Sequence, residues 1–167
     1  MPAVTVLIGL SIKGKSRAGV VHNPFSEEDR ELGKTFYGTA EHGCYYLSYD
    51  KNQNIKEQLQ REPEYLTPFD NDEVEADTVT KVAASLKHFD ETMQGIINAV
   101  GNVETIRLGG AGNKCNNIAR GVVDAYMHPS PGLCYWDLCA PESLVKAMGG
   151  YATDLSYQRL SYFADAP

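Results

Sequence analysis

Three stretches of the chain carry residue types that do chemistry at spacings where that chemistry is possible. The first is Leu108-Gly109-Gly110-Ala111-Gly112-Asn113-Lys114. Glycines let a backbone approach a ligand closely, and the free N–H groups at a helix start attract anions. Lys114 adds a point charge on the first turn of the helix that should follow. The stretch is not a P-loop, because no glycine immediately precedes the lysine and no Ser or Thr follows it. It is not a G-x-G-x-x-G dinucleotide fingerprint either. Taken alone, it reads most simply as a tight strand-to-helix turn with a surface lysine.

The second stretch is Tyr135-Trp136-Asp137-Leu138-Cys139-Ala140-Pro141-Glu142. Asp137 is expected to precede a helix whose first turn holds Pro141. A carboxylate there satisfies free N–H groups, and it could equally be a metal or ribose ligand. The third is Ser85-Leu86-Lys87-His88, just before a helical pattern. A lone histidine is more often structural or exposed, and only proximity to the other two stretches would raise His88 to a ligand contact. His22, His42 and His128 have no acidic partner nearby in sequence and read as structural. Of the four cysteines, Cys44, Cys115, Cys134 and Cys139, only the last two are close. Their Cys-x4-Cys spacing lacks the paired ligands of a zinc site, so reduced thiols are expected.

The elements that must position these residues can be read from periodicity. Residues 3–22 read as a β-hairpin: Ala3–Ile12 outward, a turn at Lys13-Gly14-Lys15, and Arg17–His22 back. Ser26–Lys34 reads as a loop or short helical turn. Thr35–Ala40 and Cys44–Tyr49 read as a second strand pair. Lys51–Asp77 holds eight acidic and three basic residues, two prolines and no glycine. It reads as a solvated connection between two units. From Val79 the pattern is αβαβαβ. Phe89, Met93, Ile96, Ile97 and Val100 mark one helix face, Thr105–Leu108 a strand, and Cys115, Ile118, Ala119 and Val122 a second helix. Ala125–His128 follows as a strand. Ala140, Leu144, Ala147 and Met148 mark a third helix stopped by Gly149-Gly150, and Tyr151–Thr153 begins another strand.

Composition bounds the function. The chain has 167 residues, 43% hydrophobic and 22% charged, with net charge −7. A nucleic-acid polymer is excluded as a general partner, since binding it needs a basic face. No apolar run reaches the ~18 residues of a membrane-spanning helix, so no membrane association is expected. The short Val4–Leu10 run has no basic flank or cleavage site of a signal peptide. Cytoplasmic residence is the expectation. One small phosphorylated ligand, held by a local basic group, remains compatible with the negative total.

Six stretches in order, Val4–Gly9, Ala18–Pro24, Gly109–Lys114, Tyr135–Glu142, Met148–Gly150 and Thr153-Asp154, resemble the inositol monophosphatase superfamily of lithium-sensitive, magnesium-dependent phosphatases. The Trp-Asp-x-Cys-Ala-Pro-Glu and Gly-Gly-Ala-Gly-Asn-Lys forms look most like its 3'(2'),5'-bisphosphate nucleotidase branch. The resemblance implies an α/β, layered sugar-phosphatase fold. Residues 1–50 would be strands of a first, antiparallel-sheet domain, 51–77 the acidic connecting segment, and 78–167 a mixed-sheet α/β domain. It implies a metal role for Asp137 toward Mg²⁺. It also implies substrate contacts at Ser85, His88, Gly110, Lys114 and Asp137; His88 stands 21 positions before Gly109, the spacing of a family histidine at the nucleotide.

Members run to about twice this length. They carry an upstream Glu and an Asp-Pro-[Leu/Ile]-Asp-Gly-Thr motif, which supply most metal ligands and a water-activating threonine, and a further strand and helix after the last strand. The expectation is therefore the C-terminal part of the fold, truncated at both ends, with no catalytic residue of its own. It would be inactive alone, because one carboxylate does not replace a Mg²⁺ cage, and its Ala3–Ile12 hairpin would expose apolar surface. The implied reaction removes the 3'-phosphate of adenosine 3',5'-bisphosphate to give AMP. An inositol polyphosphate 1-phosphatase or related sugar phosphatase, and a non-catalytic nucleotide-binding remnant, are the alternatives.

Overall fold

Alternating apolar residues over the first fifty positions build an antiparallel sheet in the computed structural model, which describes residues 4–25, 32–69, 78–87 and 89–163. Strands β1 (Val6–Ile12), β2 (Lys15–Asn23), β3 (Leu32–Thr39) and β4 (Gly43–Asp50) follow in order, and β5 (Glu64–Leu66) closes the far edge. Lys13 and Gly14 join β1 to β2 with φ of 52° and 72°. Both central residues are thus left-handed, as a two-residue turn matched to strand twist requires.

Period two gives this sheet two faces of opposite character. Inward, Val21, Phe36 and Cys44 are buried against Ala119, Ala140, Leu144, Ala147 and Met148. The covering element is α4 (Tyr135–Ala147), which packs on β1, β2, β3 and β4. Two glycines set how close it comes. A Cβ on Gly19 would overlap the backbone O and C of Ala140, and one on Gly9 would stand 2.8 Å from Ala140 N and Cys139 Sγ. Outward, Val6, Ile8, Leu10 and Ile12 are 50%, 64%, 51% and 49% exposed, so β1 presents an apolar stripe.

A second sheet is parallel, in the order β7-β6-β8, with β6 at Thr80–Ser85, β7 at Val103–Leu108 and β8 at Ala125–Tyr126. Its faces are both covered. Val82 and Ala84 meet Met93 and Ile97 of α2 (Glu91–Val100), while Ala83 meets Cys115 and Ile118 of α3 (Ala111–Ala119) and Val145 of α4. Asp90 caps α2, accepting from Met93 N–H at 3.0 Å. That bond and the Ser130 hydroxyl hold its carboxyl below the usual carboxylate range.

Several expectations need correction. Strand β6 carries no alternation and was not foreseen, because a strand covered on both faces reads as an unbroken run of small apolar residues. Residues 51–69 are not a bare connection: α1 (Ile55–Gln58) and β5 join the antiparallel sheet. The buried Gln58 amide bonds both main-chain groups of Asp50, at 2.7 and 2.8 Å, and so continues the edge of β4. Helix α3 begins four residues before Cys115, and α4 begins at Tyr135, so Asp137 lies inside its first turn and Pro141 in its interior. The chain after Gly150 forms one isolated bridge, Thr153 with Arg159. The expectations for 26–31 and 70–77 lie outside the described residues. Among those described, all four cysteines are free and no helix is long and apolar enough to cross a membrane.

Candidate functional site

In a parallel sheet every strand delivers its following loop to the same edge, and that edge is where α/β proteins bind ligands. Here the carboxyl ends of β6, β7 and β8 open into a pocket of about 360 Å³. Strand β6 contributes Ser85 and then Leu86 and Lys87; β7 delivers Gly109, Gly110 and Ala111; β8 delivers Tyr126 and His128. Gly132, Leu133 and Asp137 close it from the start of α4. The first turns of α3 and α4 therefore both face the pocket, and both bring the positive end of a helix dipole to it.

Lys114 stands out among the pocket residues as a buried charge. It closes the first turn of α3, is only 3% exposed, and lines the pocket. No carboxylate pairs with it among the described residues. Its Nζ lies 4.7 Å from the centroid of the Tyr126 ring, whose negative face partly offsets the charge. Burial pulls the ammonium below the ordinary lysine value. The adjacent Cys115 thiol cannot neutralise it, because burial pushes that thiol up to about 12. A desolvated cation with no paired carboxylate among the described residues, beside two helix N-termini, gives this side of the pocket a positive local potential. Gly110 makes the approach possible: as the residue before α3 it adopts φ 69°, a conformation open to glycine.

Asparagines fix α3 in place. Asn23 Nδ2 donates to Asn113 Oδ1 at 3.1 Å, Asn116 Nδ2 donates to Asn23 Oδ1 at 3.3 Å, and Asn117 Nδ2 donates to Asn113 O at 2.9 Å. The network ties the helix carrying Lys114 to the end of β2.

Asp137 serves first as a helix cap. Its Oδ2 accepts from Cys134 N–H at 3.0 Å, which leaves Oδ1 without a protein donor among the described residues. Magnesium takes about six oxygen ligands in near-octahedral geometry. No group of three or more His, Cys, Asp or Glu converges among the described residues. One carboxylate oxygen at a pocket wall does not amount to a Mg²⁺ site.

The structure thus brings Ser85, Gly110, Lys114 and Asp137 to one pocket. His88 lies outside the described residues. Lys87 and His128, which the sequence reading left aside, also line it. The signal for His128 was its position just past a parallel strand, the same place that Ser85 holds on β6. The asparagines had a signal too: Asn113, Asn116 and Asn117 share one helix face.

Fold and pocket define an α/β protein with an open pocket, lined by a buried lysine, at the carboxyl edge of a parallel sheet. The inositol monophosphatase family model matches residues 1–166, and the chain belongs to that family. It is 31% identical over 166 residues to human 3'(2'),5'-bisphosphate nucleotidase 1, covering 97% of this chain and 46% of that protein. It is 28% identical over 170 residues to the Dictyostelium discoideum protein of the same name, covering 97% and 49%. Human Golgi-resident adenosine 3',5'-bisphosphate 3'-phosphatase is 28% identical over 166 residues, covering 95% and 38%. Mycobacterium tuberculosis SuhB superposes with a TM-score of 0.62 at 20% identity, over 89% of this chain and 53% of that one, and shares its inositol monophosphatase-like fold. The chain spans about half the length, or less, of these curated relatives.

Proposed function

We propose that the protein acts on the 3'-phosphate of adenosine 3',5'-bisphosphate, giving AMP, and that this chain supplies the ligand-binding part of that site. The observation that carries the reading is the buried, carboxylate-free Lys114 facing the same pocket as the α3 N-terminus. Relatives named for bisphosphate nucleotides support the choice of ligand.

The residues that line the pocket have roles that follow from their places. Lys114 neutralises phosphoryl oxygens as a point charge, and the N–H groups after Gly110 orient them. Ser85 offers a hydroxyl from the neighbouring strand end. The family resemblance assigns His88 to the adenine, where base stacking would be worth about 1–3 kcal/mol. Asp137 is the chain's own carboxylate toward the Mg²⁺ that the family resemblance implies, but these residues alone do not hold that ion. They bind and orient the ligand, so binding without turnover is expected of the 167-residue chain. Free cysteines support a reducing compartment, the cytoplasm.

Calorimetric titration of the chain tests this. Adenosine 3',5'-bisphosphate and AMP should bind, and Lys114→Ala should weaken both by about tenfold or more, the worth of a charge-assisted hydrogen bond. His88→Ala should weaken AMP and leave inorganic phosphate unchanged. Equal affinity for inositol 1,4-bisphosphate would overturn the nucleotide assignment, and no binding of any phosphate would overturn the site.

A further inference from the structure

Where a strand ends, its last carbonyls lose their ladder partners and must find others. At the end of β6 the N–H groups are accounted for locally. Leu86 N–H donates to Leu108 O at 3.2 Å, and Lys87 N–H donates to Ser85 Oγ at 3.3 Å. The carbonyls are taken by one side chain from the neighbouring strand. Arg107 of β7 donates from Nε to Ser85 O at 2.9 Å and from Nη2 to Leu86 O at 2.6 Å. Its guanidinium also lies over the Phe89 ring, 4.4 Å from the centroid. No carboxylate engages it among the described residues.

This is an uncommon use of an exposed arginine. Surface arginines ordinarily pair with acids or with water, whereas this one spends its planar fork on two successive carbonyls and stacks on an aromatic two residues beyond Lys87. The segment so held, Ser85, Leu86 and Lys87, forms the β6 side of the pocket wall.

We infer that Arg107 is a positioning residue: it fixes the Ser85–Lys87 wall and thereby sets how the pocket fits the nucleoside part of its ligand. The inference rests on the reading of the pocket as a nucleotide site. The phosphate part is held separately, by Lys114 and the start of α3. Arg107 should therefore govern AMP affinity without governing phosphate affinity. Lysine keeps the charge but not the bidentate fork, so it should restore only part of the function.

The test uses the whole chain and three variants: Arg107→Ala, Arg107→Lys and Lys114→Ala. The probes are AMP and inorganic phosphate, titrated by calorimetry, with a melting curve for each variant. Arg107→Ala should weaken AMP by about tenfold, as loss of hydrogen bonds from a charged donor predicts. Inorganic phosphate should bind unchanged, and Arg107→Lys should fall between. Lys114→Ala should weaken both probes. A ligand-free readout stands beside these. Amide hydrogen exchange at Leu86 and Lys87 should quicken in Arg107→Ala and less in Arg107→Lys. Unchanged exchange overturns the inference whatever the ligands do. Equal loss of AMP and phosphate together with a lowered melting point overturns it in favour of a structural role. If the unsubstituted chain binds neither probe, the nucleotide reading fails and the specificity inference falls with it, while the exchange data still decide whether Arg107 holds the wall.

Discussion

Two regions meet along α4 and obey different rules. On one side, Gly9 and Gly19 bring the antiparallel sheet against the Ala140 backbone, a contact in which a single added methyl has no room. On the other, Asp137 and the start of the same helix face a pocket with about 360 Å³ of open space and an uncompensated lysine. The seam is specified by close packing, with the Ser16 hydroxyl donating to Cys139 O across it. The pocket is specified by charge and forgiving in volume. One helix carries both: its Ala140, Leu144 and Ala147 are buried, while its Asp137 lines the pocket.

Substitutions can separate the two rules. Gly19→Ala should give the largest effect, since its Cβ meets main-chain atoms that cannot swing away. Overpacking of about 3 kcal/mol would lower Tm by about 6–12 °C, read by calorimetry. A fall below about 2 °C would mean that α4 slides and that the seam is not fixed by volume. Lys114→Met should behave in the opposite sense. Anion affinity should drop about tenfold or more while Tm holds or rises, because a desolvated cation is removed. A large loss of Tm in that variant would place Lys114 with the seam instead.

Smaller effects sharpen the contrast with the uncovered side of the sheet. The stripe of Val6, Ile8, Leu10 and Ile12 is half-exposed or more, and the chain should self-associate through it. Sedimentation should show concentration-dependent mass that falls in an Ile8→Thr, Leu10→Thr double variant; a monomer at all concentrations would sink this. The smallest effect is a pH dependence. His22 hydrogen-bonds Thr35 Oγ1 at 2.9 Å and Tyr49 OH at 2.8 Å, and burial lowers its pKa from 6.5. The folded state thus prefers the neutral ring. Its contribution is complete above pH 6.5 and is lost as pH falls below that value toward the lowered folded pKa. Denaturant midpoints between pH 7.5 and 5 should decline, and His22→Gln should flatten the decline.

Much of the fold was legible where local chemistry decides it. The Lys13-Gly14 turn, the alternating strands on either side and the glycine turn before Lys114 are all set by residues within a few positions of one another. The failures arise where a residue's role is set by a partner that its own stretch does not announce. Strand β6 looks featureless in sequence because α2 covers one of its faces and α3 the other, so neither face calls for polar residues. Gln58 reads as polar linker until Asp50 supplies its partners. Pro141 signals a helix start, yet α4 begins six residues earlier because Asp137 caps Cys134 N–H there. At the site, Gly110, Lys114 and Asp137 could be named from spacing. The burial of Lys114, its aromatic neighbour Tyr126 and the arrival of His128 at the pocket depend on tertiary placement.

Because α4 packs on four strands of the antiparallel sheet and also closes the pocket, occupancy and folding form one coupled equilibrium. A ligand present at one hundred times its Kd adds about 2.7 kcal/mol to the folded state by mass action alone. That increment reaches β1 and β2 although no ligand atom comes near them. By the same linkage, a change buried at Gly19 raises the apparent Kd of an untouched pocket once it leaves an appreciable fraction of chains unfolded. In this molecule a melting curve is therefore also a binding assay.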